Sequence, residues 1–510
     1  MMFRKLRGVA VILVALMAVA CATTAPVAFK APAPLAQEVR ITIAHTNDMH
    51  ARAIESKTEL GYSRIATAVA ELKAANPNTL VIDSGDTFHG LPFANLEQGA
   101  SVVRLMNEVG YDYMTTGNHD YNYGFARLME LEKQAKFKIL AANVYKDGKR
   151  VFTPYAIKEI QGVRVAFFGL ASPETAYKTD PKGIEGVTFT DPVVEGRAVA
   201  NELAGKYDVL ILISHIGLDA SSNPMSTDVA QAIPEIDVII DGHSHTTLEN
   251  AAKINKTPVL IASTGSYDTG LGVVELTVGT DRIVKAKTAR TITPENSPNL
   301  KGDAKITAIV NELTAAQKPM LAEVIGKTAV MLEGTREIVR TQPSNLGTLI
   351  ANGMIYATGA DVALMNGGGI RTSIPAGDIT KNHIFTVMPF GNYIQTAKIK
   401  GAEFDAILEN GVGKLPAADG RYPHVAGLTF TLTAAKPAGD RVSDIMIGGK
   451  PVDPAKEYLF ATLNFLFNGG DDYRMLIGKV TNDFPSDAEV FMAYAKYLGT
   501  ITADNMVYKK

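Results

Sequence analysis

Five short apolar runs in the first half of this chain lead into corners that carry Asp, Asn or His, and this recurrence constrains the fold more than any other feature. The runs at 39–43, 79–82, 113–115, 209–213 and 238–240 are followed by Asp48-Met49-His50, Asp83-Ser84-Gly85-Asp86, Gly117-Asn118-His119-Asp120, Ser214-His215 and Asp241-Gly242-His243-Ser244-His245. Further strand-like runs lie at 139–141 and 163–168, with helix-spaced stretches at 63–74 and 101–109. Strands alternating with helices predict a layered α/β domain. Ligands of open α/β sheets bind beyond the carboxyl ends of the strands, so these corners are expected to converge. A single histidine in such a place is ordinarily a hydrogen-bonded structural residue. Five of the nine histidines in these corners point instead to a ligand set.

The residue mix suits a particular chemistry. Imidazole and carboxylate together favour Zn, Mn, Fe or Co, and a carboxylate can bridge two such ions. Gly85, Gly117 and Gly242 sit beside the ligand candidates, where tight turns let side chains approach one another.

After residue 325 only His383 and His424 remain, so metal chemistry is expected in the first half. The second half carries Arg336 and Arg340, then Asn366-Gly367-Gly368-Gly369-Ile370-Arg371, Pro389-Phe390-Gly391-Asn392, and a run from Asn464 through Phe465 to Asp471. Guanidinium groups suit bidentate phosphate recognition. Phe390 and Phe465 can stack on a base, and Asp471 can accept hydrogen bonds from ribose hydroxyls. Taken singly, each of these residues has an ordinary role in a core, a turn or a solvated surface.

The five N-terminal pieces resemble the signature of calcineurin-like metallophosphoesterases, and their order is that of the bacterial 5′-nucleotidase/UDP-sugar hydrolase family. The second half resembles that family's specificity domain. The resemblance implies that Asp48, His50 and His245 hold one divalent metal, that Asn118, His215 and His243 hold another, and that Asp86 bridges them. It places His119 against charge on the phosphoryl group, oriented by Asn122 where the family usually has Asp. It places Arg336, Arg340 and Arg371 at the phosphate, Phe390 and Phe465 around the base, Asp471 at the ribose, and Asn366 near the nucleoside. The implied fold is a four-layer-type metallophosphoesterase domain joined by a helix to a smaller α+β substrate domain. The implied function is hydrolysis of nucleoside 5′-phosphates, with UDP-sugars as a further substrate class. A 2′,3′-cyclic nucleotide phosphodiesterase/3′-nucleotidase is the alternative, favoured by Asn122. A non-catalytic surface-binding lipoprotein is the third reading, and it would need decayed metal positions.

The N-terminus reads as an export signal. Arg4, Lys5 and Arg7 precede an apolar run at 9–20 that ends at Cys21, the sole cysteine. That run is too short to span a bilayer and has the layout of a signal peptide. Ala18-Val19-Ala20-Cys21 resembles a bacterial lipobox, with Ala18 where Leu is usual. The resemblance implies lipidation of Cys21 and anchoring in the cell envelope, at the outer membrane or in the periplasm; plain cleavage to a periplasmic product stays open. The expected organisation is a signal peptide over 1–20 and a tether over 21–38. A catalytic domain over 39–300, a linker helix over 301–324 and a nucleotide-binding domain over 325–510 follow. Lys and Arg number 50 against 53 Asp and Glu, so no global field favours a nucleic acid polymer. The expected partners are a nucleotide substrate and a membrane reached only through the lipid, with the protein a monomer.

Overall fold

The structure, a computed structural model, describes residues 32–179, 181–218, 222–248 and 257–506. The signal segment and Cys21 lie outside the described residues. Packed structure starts slightly before the expected end of the tether. Leu35 is buried in an apolar cluster, and its N–H donates to the Thr280 carbonyl at 2.8 Å.

Two sheets form the first half. One runs in the order Val284–Ile292, Leu271–Val278, Val39–Thr46, Thr79–Asp83, Tyr113–Met114 and Lys138–Ile139. The other runs Leu260–Ala262, Val238–Ile240, Val209–His215, Val163–Ala171 and Tyr155–Ile160. In both, the strands that lead to the ligand corners are parallel to one another, so their carboxyl ends point the same way.

The side-chain period of two decides how the sheets stack. Val163, Val165 and Phe167 share an inner cluster with Val209, Ile211, Ile213 and with Ile41, Ile43, Leu80 and Ile82 of the other sheet. The alternate residues Ala166, Phe168, Leu170, Leu210 and Leu212 face an outer cluster with the helix Pro192–Leu203. The outer face of the first sheet packs on the helices Gly61–Ala75 and Ala100–Val109. The order is therefore helix, sheet, sheet, helix. Truncating a fully buried residue of the inner layer such as Ile211 to Ala would cost about 2–5 kcal/mol.

The helix Ala304–Leu321 starts where the Asp303 side chain accepts the Ile306 N–H at 2.9 Å, which satisfies one orphan donor of the first turn. Its Ile306, Ile309, Val310 and Leu313 pack into the first-half core. Beyond it, Pro423–Ala426, Val362–Asn366, Glu457–Leu463, Tyr393–Lys400 and Val480–Ser486 form a third large sheet. The helices Asn345–Thr358 and Asp487–Leu498 cover one face of that sheet and Phe404–Val412 the other. The stretch 384–399, whose composition reads as strands around a turn, is instead the end of a helix, Lys381–Val387, followed by one strand, Tyr393–Lys400. The Thr380 side chain accepts the His383 N–H at 3.3 Å, an N-cap that overrides the β-branched composition downstream. Among the described residues, no helix is long and apolar enough to cross a membrane.

Candidate metal centre and nucleotide pocket

All seven residues expected to hold metals meet at the carboxyl ends of the parallel strands. Ligating atoms of Asp48, His50 and His245 form one group, and those of Asp86, His215 and His243 form another, each within 4.8 Å. The groups adjoin, since His215 Nε2 is 3.1 Å from Asp86 Oδ2 and 3.9 Å from Asp48 Oδ1. The seventh residue, Asn118, places its Oδ1 2.9 Å from His243 Nδ1.

The backbone is bent to achieve this. Asp48, His50, Asp86, His243 and His245 all have positive φ, between 43° and 76°, a region that residues with a Cβ rarely occupy. Strain held at one cluster is the mark of a site whose geometry matters more than its local comfort. Two glycines make the approach possible. A Cβ on Gly117 would lie 2.1 Å from Asp86 Oδ1, and one on Gly242 would lie 3.0 Å from Asp48 Oδ2.

The electrostatics describe a cation site. Burial pushes the Asp48 carboxyl up to about 8. Burial also opposes ionisation of Asp86, yet His215 and His119 outweigh it and hold that carboxyl well below the usual range. Burial disfavours charge on His215, but Asp86 and Asp48 pull its pKa up to about 10. A proton there offsets the buried Asp86 carboxylate, a role that a divalent ion fills better. His50 is held well below its ordinary value by burial, and His243 and His245 are lowered to about 4 by the same cause. Neutral imidazole is the form that binds metals. His215 Nε2 is buried and meets Asp86 Oδ2 as a close ion-pair contact without hydrogen-bond geometry, and the Nε2 atoms of His50 and His245 face each other at 3.2 Å. The donor set fits divalent ions.

His119 stands beside the groups. Its backbone N–H donates to Asp86 Oδ1 at 2.7 Å, and burial lowers the ring pKa to about 3. Asn122 Nδ2 donates to His119 Nδ1 at 3.1 Å, while Asn122 Oδ1 accepts from Thr179 Oγ1 at 2.8 Å. The ring therefore carries its proton on Nε2.

Sequence reading missed several supporting groups. Glu174 Oε2 lies 2.8 Å from His243 Nε2 and 2.7 Å from Lys178 Nζ. It follows the end of Val163–Ala171, so the strand-end rule would have found it had that corner been inspected. Asp120 accepts the N–H groups of Asp86, Thr87, Phe88 and Gly117 at 2.8–3.0 Å and fixes the loop that presents Asp86. Asn47 Nδ2 donates to Asp48 Oδ2 at 2.8 Å.

The second-half residues gather around Gly367–Gly369. Burial lowers the Arg340 pKa, and repulsion from Arg336 and Arg371 adds to it, which puts three guanidinium groups in one field. The Arg371 guanidinium lies 5.5 Å over the Phe390 ring. Asn366 Nδ2 donates to Asp471 Oδ2 at 2.7 Å, and Asp471 has a positive φ of 51°. Phe390 and Phe465 are 46% and 41% exposed, with Arg371 over the first ring and Gly470 packed against the second. The two sets of residues meet where Arg52 Nη2 donates to the Phe390 carbonyl at 3.5 Å and where Tyr393 enters the metal groups.

Comparison with known proteins agrees with this arrangement. The calcineurin-like phosphoesterase family model matches residues 41–247, and the 5′-nucleotidase C-terminal domain model matches 324–477. Protein UshA of Escherichia coli K12 is 31% identical over 503 residues, covering 89% of this chain and 90% of its own length. The chain belongs to the 5′-nucleotidase family. A 5′-nucleotidase of Vibrio cholerae is 30% identical, covering 89% of this chain and 90% of that protein. The structure of Haemophilus influenzae NAD nucleotidase shares the fold, with a TM-score of 0.74, 22% identity and coverage of 92% of this chain and 98% of that one. Like its family, this 5′-nucleotidase relative is a metal-dependent phosphoester hydrolase with a nucleotidase's second half.

Proposed function

We propose that the chain is an exported, two-metal 5′-nucleotidase that converts nucleoside 5′-phosphates to nucleoside and phosphate, with UDP-sugars as a further substrate class. The convergence of two ligand groups beside His119 supports the reading most strongly. In this reading Asp48, His50 and His245 hold one ion, Asn118, His215 and His243 the other, and Asp86 lies between them. When bound, two such ions lower the pKa of water and neutralise charge on a phosphoryl group.

The chain's own residues do the rest. His119 presents Nε2–H to a phosphoryl oxygen, and Asn122 holds that tautomer. Arg336, Arg340 and Arg371 grip the terminal phosphate. Phe390 and Phe465 flank the base, and Asp471, aligned by Asn366, takes the ribose hydroxyls. The organisation is a catalytic domain over 39–300, a linker over 301–324 and a nucleotide-binding domain over 325–510. Export rests on the leader at 1–20 and anchoring on acylated Cys21; mass spectrometry of the mature N-terminus tests both, and an unmodified terminus beyond residue 21 counts against the anchor.

Asn122 keeps the 2′,3′-cyclic phosphodiesterase as a second reading, because a neutral amide gives His119 no charged partner. A substrate panel on metal-loaded protein decides between them. Turnover of 5′-AMP above that of 2′,3′-cyclic AMP is expected; the reverse order rejects the 5′-nucleotidase reading.

A further inference from the structure

Tyr393 belongs to the second half, yet its side chain is buried among the histidines of the first. Its hydroxyl lies 3.0 Å from His50 Nδ1 and 3.2 Å from His89 Nδ1. Its ring stacks on His119 with centroids 3.7 Å apart and planes 18° apart. His89 Nε2 in turn lies 3.0 Å from Glu489 Oε2, a carboxylate already held by Ser486 at the start of the last long helix.

Donor and acceptor roles along this row of side chains follow from Glu489. Glu489 offers only acceptors, so His89 Nε2 must carry a proton and donate. Asn122 turns its amide nitrogen toward His89 Nδ1 at 3.3 Å, because its oxygen is taken by Thr179. His89 Nδ1 is therefore a bare lone pair. The single Tyr393 proton is donated to the His89 carbonyl at 3.4 Å, since the Nδ1 lone pair 3.2 Å away already accepts from Asn122. Only lone pairs of the Tyr393 oxygen remain for His50. His50 Nδ1 must then carry a proton, and Nε2, the atom facing His245, is left bare.

We propose that the relay Glu489–His89–Tyr393–His50 fixes the His50 tautomer that presents Nε2 to a metal, with Tyr393 as its positioning residue. This rests on the assignment of His50 as a metal ligand. Partners to the far nitrogen of a ligating histidine set its tautomer and ring orientation, and losing one costs roughly 10–100-fold in metal affinity. Tyr393 follows Phe390 by three residues, so affinity at the first group would depend on the half of the protein that reads the nucleotide.

The test is a titration of Mn²⁺ alone into apo full-length protein. Tyr393→Phe keeps the ring on His119 and removes only the hydroxyl. It should bind one ion about tenfold or more weakly and the other as wild type does, with a single cooperative unfolding transition of the apo protein retained. Both ions bound with wild-type affinity by Tyr393→Phe, while His50→Ala loses one, would overturn the relay and leave the metal assignment standing. Both ions retained by His50→Ala would overturn the assignment and the relay together. A measurement on unaltered protein covers the case of a misfolded variant. The ¹⁵N imidazole spectrum of the apo protein, with His50 assigned by its loss in His50→Ala, should show Nδ1–H for His50 and Nε2–H for His89; the opposite tautomer at His50 overturns the proposal.

Discussion

Asn122 and His119 are joined by a hydrogen bond of 3.1 Å in which the amide of Asn122 is the donor and His119 Nδ1 the acceptor. Thr179 enforces that sense by donating to the other end of the amide. Asp at position 122 would be an acceptor at both ends and would demand a proton on His119 Nδ1. The ring could then carry both protons and meet a phosphoryl oxygen as a cation. Charge-assisted hydrogen bonds are roughly twice as strong as neutral ones. Asn122→Asp is thus expected to raise kcat for 5′-AMP by about 1 kcal/mol of barrier, five- to tenfold, without reversing the preference for 5′-AMP over the cyclic substrate. Steady-state kinetics on both substrates check this, and an unchanged kcat would mean that the tautomer of His119 does not matter.

Asp86 touches both a metal-ligand candidate and the loop of His119, with His215 Nε2 at 3.1 Å and the His119 backbone N–H at 2.7 Å. Asp86→Ala should lower the bound metal from about two ions per chain and abolish nearly all turnover. Metal content by mass spectrometry alongside kcat is the measurement. Two retained ions with near-normal kcat would remove Asp86 from the mechanism.

The base platform can be separated from the chemistry. Phe390→Ala or Phe465→Ala should cost about 1–3 kcal/mol in kcat/KM for nucleotides, the scale of base–aromatic stacking. The loss should be small for a phosphomonoester that has no base. Equal losses on both substrates would make these rings structural, despite their exposure.

His424 offers a pH dependence outside the metal groups. Its Nε2–H donates to the Val339 carbonyl at 2.9 Å, and its Nδ1 accepts the Ser344 N–H at 3.3 Å, so it braces the segment that carries Arg336 and Arg340. Burial lowers its pKa from 6.5 to about 4. Between those values the unfolded chain binds a proton that the folded chain does not, so stability falls as pH drops from about 6.5 to about 4. The term is on the order of 3 kcal/mol at the acid end. Denaturant melts of wild type and His424→Gln at pH 7 and pH 4.5 should show the wild type losing more stability on acidification. A pH-independent difference between the two proteins would show that His424 does not titrate in this way.

How much of this was legible follows from what kind of signal each residue leaves. The ligand corners were readable because a parallel sheet sends every strand end to one edge, so Asp48, Asp86, Asn118, His215 and His243 could be placed together from sequence order alone. The strands at 163–168 and 209–213 were readable but end early, because Gly169 and the polar Ser214-His215 break the apolar pattern while ladder pairing runs on to Ala171 and His215. The helix Lys381–Val387 was not, since Ile384, Phe385 and Val387 favour a strand locally and only the Thr380 cap reverses that preference. Tyr393 and Glu489 were not readable as site residues either. Each acts on a histidine distant in sequence, 343 and 400 residues away, and no local spacing records a contact of that kind.

Arg371 decides between the two substrate readings. Its guanidinium lies over the Phe390 ring, while repulsion from it and Arg336 contributes to the lowered pKa of Arg340. Asp471 and Asp419 offset part of that repulsion at Arg340, and an anion of high charge would offset the rest. A terminal 5′-phosphate is a dianion approachable from several sides and suits three bidentate donors. A 2′,3′-cyclic phosphate carries one charge and is locked to the ribose, so it gains less from the third cation. Arg371→Ala is therefore expected to lower kcat/KM for 5′-AMP by about 2 kcal/mol, some thirtyfold, on the scale of a charged hydrogen bond. The same change should affect 2′,3′-cyclic AMP only a few-fold. Kinetics of the variant on both substrates, at one metal concentration, give the comparison. If the two substrates lose equally, Arg371 contributes general field rather than recognition of a terminal phosphate, and the weight returns to Asn122 and the cyclic reading.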